Sequence, residues 1–231
     1  SLMRTLEIGP SEFSILVSSY TFAAGTSGLL GALWIDRFDR KKALLTLYVG
    51  FTAGTLACGL AQNYFALLAA RVITGLFGGV MGSTVLAIVG DAVPAEKRGR
   101  AMGVVMMAFS AASVFGVPFS LYLANVWDWH APFIFVALAA GLGLGVAAKS
   151  IPPLRNHLAG SPRKTNLAEV ALESRRLRGL VVMSALVMGQ FAVIPFLSPS
   201  FVFNGGLEES KLPLIYLIGG LATIVSSPVW G

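Results

Sequence analysis

Apolar residues along this chain come in blocks of roughly 18 to 25, the length of helix that crosses a bilayer, separated by short polar punctuation. Seven blocks are predicted as membrane-spanning helices: residues 13–35, 43–61, 65–90, 101–124, 131–148, 179–203 and 212–231. Residues 1–10 read as a polar lead ending in Gly9-Pro10, with Ser11 as the N-cap of the first span. Gln62-Asn63-Tyr64 is a brief turn, and Asn125 to His130 is a polar turn whose Trp127 and Trp129 suit an interfacial belt. Residues 149–178 break the pattern. Pro152-Pro153 ends a helix, charges become dense, and Asn166 with Glu169 fits a capping box. Leu167, Val170, Ala171 and Leu177 then form the stripe of a short interfacial helix.

Composition supports this reading. The chain is 55% hydrophobic and 12% charged, with mean hydropathy +0.76, against about 25% charge in a soluble domain. An all-α, multi-pass membrane protein follows. Its net charge of +6 does not point to nucleic acid, because the bases sit beside the spans. Counted by alternate loops, 14 of the 17 Lys and Arg fall on one side and 2, Arg4 and Lys211, on the other, leaving Arg71 inside a span. Basic loops stay in the cytoplasm, so the charged loops are predicted cytoplasmic. The single cysteine, Cys58, reads as a small packing residue. His130 and His157 have no metal spacing, and no visible span carries an Asp or Glu near its centre. No secretory signal is visible.

Three small-residue patterns predict close helix packing: Ala24, Gly28 and Ala32 at every fourth position, and the pairs Gly75 with Gly79 and Gly78 with Gly82. Arg71 is the sharpest candidate for chemistry, since a cation about two turns inside a span is costly unless it faces protein or water. The bland alternative is that it snorkels to the interface. Pro118, in Gly116-Val117-Pro118, predicts a helix bend; an ordinary kink is the alternative.

The loop Gly31–Lys42, with Asp36, Arg37, Arg40 and Lys41 at its charged positions, resembles the signature loop between the second and third helices of the major facilitator superfamily. Ala32 and Asp39 stand where that pattern usually has glycine. Leu67 to Gly79 around Arg71 is similar to the family's fourth-helix motif, with Thr74 where Gln is frequent. Ser113 to Phe133, around Gly116 and Pro118, resembles the fifth-helix motif of exporters. The resemblance implies a fold of two six-helix bundles related by a pseudo-twofold axis, a small-molecule substrate, protons, a lipid bilayer, and no cofactor. It implies proton-coupled efflux of the bacterial drug or sugar type by alternating access, in a monomer of the bacterial inner membrane. It further implies that Arg71 couples protons. It assigns Asp36, Arg37, Arg40, Lys41 and Asp91 to a conformational latch in which Arg40 meets Asp91. Solvated loop charges of little consequence are the alternative for these.

A weak repeat at a shift of 199 overlays Ser11 on Ser210 and Ala32 on Gly231. Parallel six-helix repeats are how such transporters are built, so the seven spans are expected to be helices 2 to 8 of twelve. Residues 1–148 are then the first bundle without its first helix, 149–178 a cytoplasmic linker, and 179–231 the start of the second bundle. Gln190, Phe191 and Pro195, with Phe22, Met81, Met106 and Phe109, are candidate cavity residues; lipid or helix packing is the alternative for each. An importer or facilitator without proton coupling, and a non-transporting sensor on the same scaffold, remain open. A membrane enzyme is disfavoured, since no His, Asp or Glu cluster lies in the spans.

Overall fold

The structure, a computed structural model, describes residues 2–31 and 35–154 and, beyond them, isolated positions between 177 and 222. Among the described residues every regular element is helical: α1 (Leu2–Thr5), α2 (Pro10–Gly31), α3 (Arg40–Gly59), α4 (Tyr64–Ala92), α5 (Ala95–Ala111), α6 (Val117–Val126) and α7 (Ala131–Ser150). The chain falls into two compact units, Ser1–Phe109 with Phe119–Ser161, and Ser110–Pro118 with Pro162–Gly231. In the first unit α2 packs on α4, and α3 packs on both α4 and α7.

Four of these helices, α2, α3, α4 and α7, are long and apolar enough to cross a membrane. At 1.5 Å per residue the 29 residues of α4 reach about 43 Å, longer than the bilayer's hydrocarbon core. Phe22, Leu29, Phe65 and Leu142 are each more than three-quarters exposed. Such faces drive association in water; lipid covers them in a bilayer. The span expected over 101–124 is instead a longer helical run from Ala95 to Val126, divided by a π turn at Ala112–Gly116. Of the spans expected over 179–203 and 212–231 only isolated positions are among the described residues, and the interfacial helix of the linker, apart from Leu177, lies outside them.

Several boundaries differ from the sequence reading, each for a local reason. The polar lead contains a short helix, α1. Ser11 is not the cap of α2: the helix begins at Pro10, whose missing N–H suits a first turn, and the Glu12 carboxylate accepts from the Gly9 N–H at 2.8 Å. Arg40, Lys41 and Lys42 are not loop residues but form the first turn of α3. Asp39, the residue that departs from the usual glycine, is its N-cap and accepts from the N–H groups of Lys41 at 2.9 Å and Lys42 at 3.3 Å. Cations at a helix N-terminus oppose the dipole, and the Asp39 carboxylate offsets them. The second charged loop shrinks to Val93-Pro94, because Asp91 ends α4 and Glu96 to Arg100 open α5. Trp127 is exposed, as an interfacial residue would be, but Trp129 is buried in a core with Leu16, Cys58, Ala61, Leu67 and Ala70.

The α2–α4 contact is set by glycine. These helices run parallel, since each is antiparallel to α3 between them in sequence. A Cβ on Gly75 would stand 2.5 Å from the Tyr20 carbonyl oxygen, and one on Gly79 would strike the Ala24 carbonyl oxygen. Ser27 Oγ reaches across, its one proton shared between Ala24 O in its own turn (3.1 Å) and Gly75 O (3.4 Å). Close backbone approach with an interhelical hydroxyl bond is how helices associate in lipid. Gly28 joins the contact, whereas Gly82 has nothing within 4 Å of its would-be Cβ.

Candidate functional site

The close approach of α2 and α4 places Tyr20 beneath Arg71. Arg71 lies seven residues after Tyr64, where α4 begins, or about 10 Å along its axis. Its guanidinium carbon sits 4.7 Å from the centre of the Tyr20 ring, within range of a cation–π contact. Arg71 is half-buried, and no carboxylate bonds it among the described residues. It borders a cavity of about 290 Å³ that Tyr20, Phe51, Thr55, Cys58, Thr74 and Phe133 help to line. Thr74 and Thr55 hydroxyls donate to the carbonyls of Ala70 (2.7 Å) and Phe51 (2.8 Å) one turn back. Their donors are thus spent on their own helices, and their oxygens remain as acceptors. Cys58 is buried, with its Sγ 3.8 Å from Thr74 Oγ1. The site therefore joins one cation, aromatic faces and hydroxyl acceptors in an otherwise apolar pocket. Such a setting holds the guanidinium away from bulk water yet within reach of a mobile anion or proton acceptor.

At the other end of the same helices, Arg40 Nε donates to Asp91 Oδ2 at 3.0 Å. The Arg40 side chain is 9% exposed and that of Asp91 33%, so water screens the pair only from one side. The Arg40 backbone N–H also donates to the Leu154 carbonyl at 3.3 Å, which brings the chain after α7 against the start of α3. Arg37 and Phe38 stand exposed in the turn before it, and Lys41 is half-buried. The Asp36 side chain lies outside the described residues. Arg40→Ala and Asp91→Asn are each expected to lower thermal stability. In a double-mutant cycle the pair should show a coupling of about 0.5–3 kcal/mol, the range for residues in direct contact. Strict additivity of the two losses would contradict the pairing.

Gly116 ends the π turn, and Pro118 follows two residues later. Proline cannot donate to the carbonyl four residues back, and a π turn is one of the few ways a helix absorbs such a fault. Among the other expected residues, Phe22 is 79% exposed on α2, Met106 is exposed on α5, and Met81 is half-buried on α4; none of them lines the cavity beside Arg71. The Phe109 side chain, Gln190, Phe191 and Pro195 lie outside the described residues.

Tyr20 was not singled out from sequence, although a signal existed. Tyr20, Ala24 and Gly28 share a four-residue spacing with Arg71, Gly75 and Gly79; packing sets Tyr20 against Gly75 and Ala24 against Gly79, so Arg71, one turn before Gly75, comes within reach of the Tyr20 ring. Thr55, on α3, carried no such signal.

The chain matches, over residues 1–231, the family model described as Major Facilitator Superfamily. It is 29% identical over 206 residues to a vacuolar membrane amino acid uptake transporter of Schizosaccharomyces pombe, covering 89% of this chain and 33% of that protein. It is 23% identical over 233 residues to a probable sugar efflux transporter of Helicobacter pylori strain G27, covering 100% and 58%. Its backbone is similar to that of a crystallised peptide transporter, POT in complex with sulfate, with a TM-score of 0.59 at 18% identity over 99% of this chain and 45% of that one. The chain thus spans 33% to 58% of the length of these curated relatives.

Proposed function

The chain belongs to the Major Facilitator Superfamily, and from that premise we propose that it is the substrate-handling part of a proton-coupled exporter of small molecules. The observation that carries this reading is Arg71, an intramembrane cation held over Tyr20 at the edge of a cavity between spanning helices. A guanidinium stays charged at any working pH. Its task is to raise or lower the proton affinity of an acid that approaches it, so that proton entry and substrate exit exclude one another. Sugar and drug types of substrate fit the efflux relatives and the Gly116–Pro118 segment.

In this reading Arg40 and Asp91 latch the cytoplasmic ends of α3 and α4, with Asp36, Arg37 and Lys41 beside them. The bond holds the outward-facing state, and breaking it releases the inward-facing one. Alternating access then rocks two bundles about a central site, the first over residues 1–148 and the second from 179, joined by a cytoplasmic linker. Gln190, Phe191 and Pro195, together with Phe22, Met81, Met106 and Phe109, furnish the wall of that central site. The protein works as a monomer in a bacterial plasma membrane. Substrate-dependent collapse of an imposed pH gradient in sealed vesicles tests the proposal.

A further inference from the structure

The end of the first unit opposite the Arg40–Asp91 pair carries a cluster that transport chemistry does not use. His130 closes the turn before α7. Its Nε2 lies 3.0 Å from the carbonyl oxygen of Ala61, in the α3–α4 turn, and its Nδ1 lies 3.2 Å from Asp128 Oδ1. A carbonyl oxygen and a carboxylate both accept and have no proton to give. The carboxylate stays ionised. The backbone N–H of His130 holds Asp128 below its ordinary value of 3.8, against the opposing effect of burial, and the charge of His130 and the Ala131 N–H add to the lowering. The imidazole face is also engaged: it stacks on the Trp129 indole with ring centres 3.6 Å apart and planes at 29°.

A neutral imidazole has one N–H and can satisfy one of these two acceptors, leaving a lone pair facing the other. An imidazolium has two and satisfies both, while its charge lies over the indole face. We propose that His130 is a proton-operated clamp between the α6–α7 turn and the α3–α4 turn. Protonation closes both bonds, and deprotonation releases one. Among the described residues the neighbouring elements offer the following groups: α1, packed on the same core through Leu2 and Leu6, carries Arg4 and is followed by the exposed Glu7. The α3–α4 turn offers the Ala61 carbonyl with neutral Gln62 and Asn63. The start of α4 offers the Tyr64 phenol, whose hydroxyl donates to the Glu12 carbonyl at 3.4 Å. The start of α2 offers the Glu12 carboxylate, already accepting from Gly9. The start of α7 offers only Ala131, Pro132 and Phe133. A depressed carboxyl keeps its charge until the pH falls through its lowered value, so Asp128 does not change between about pH 5 and 8, where histidine does.

The protein has two histidines, so His157→Gln leaves His130 as the only one. Nitrogen NMR of that variant in lipid nanodiscs, with amide exchange corrected for intrinsic rate, reads the clamp directly. At the acid end of a pH series both ring nitrogens should carry protons. Where the ring has lost one of them, protection of the amides of residues 60–63 and 127–131 should have fallen about tenfold, the effect of one lost hydrogen bond. Adding His130→Gln should make that protection independent of pH. A ring that stays singly protonated across the range, or an equal pH response after His130→Gln, would overturn the proposal. Neither outcome depends on whether the protein transports anything.

Discussion

Arg71→Ala is expected to abolish gradient-driven transport while leaving the protein folded. The two halves of this expectation have one physical source. A guanidinium inside a span costs folding free energy unless something offsets it, and here the offset is the Tyr20 ring rather than a bonded carboxylate among the described residues. Removing the charge therefore removes a burden from the fold, so thermal stability in detergent should hold or rise. In the proposed mechanism coupling, by contrast, loses the group that would set the proton affinity of its partner. The rate should fall by at least about 100-fold, equivalent to about 2.7 kcal/mol. Arg71→Lys keeps the charge but not the planar group that lies over Tyr20, and should retain an intermediate rate. Vesicle transport beside a thermal melt checks both halves. Full activity in the alanine variant would remove Arg71 from the mechanism.

Gly79→Ala should destabilise the protein severely, while Gly82→Ala on the same helix should not. Both changes have the same helix propensity, which favours alanine. The difference is space. A Cβ at Gly79 meets the Ala24 carbonyl oxygen and stands 2.5 Å from Ser27 Oγ, whereas one at Gly82 meets nothing within 4 Å. Because the obstacle is backbone, α2 and α4 must separate, and the Ser27 to Gly75 bond goes with them. Overpacking of this kind costs about 1–3 kcal/mol. The same separation lifts Tyr20 from Arg71, so transport should fall with stability. Size-exclusion chromatography after heating ranks the two variants. Equal melting of both would show that the α2–α4 contact is looser than described.

Much of this was legible in the sequence because the bilayer leaves the chain few choices. Span lengths, the charge asymmetry of loops and the glycine spacing of α4 each reflect a single constraint, and α2, α3, α4 and α7 appear where four of the expected spans were placed. The Arg40–Asp91 contact was accessible for a similar reason: both residues sit at the ends of spans that share a side. What stayed hidden depends on local competition. Asp39 reads as a departure from a glycine pattern until its carboxylate is seen capping α3. The cations beside it look like a loop because sequence does not show that the cap lets the helix start three residues early. Trp129 looks interfacial by type, yet its neighbour His130 and the core around Leu67 draw it inward. Tyr20 is one aromatic among many, and only the register of two small-residue stripes separates it from the rest.

In the proposed mechanism substrate and protons exchange across the membrane through this protein. The direct test uses inverted vesicles energised to an acid interior, with a pH-sensitive dye and a panel of small sugars and amphipathic cations such as ethidium. At least one panel member is expected to collapse the gradient in vesicles holding the protein, and none with Arg71→Ala. Movement of a panel member that continues unchanged when an uncoupler has removed the gradient would contradict it.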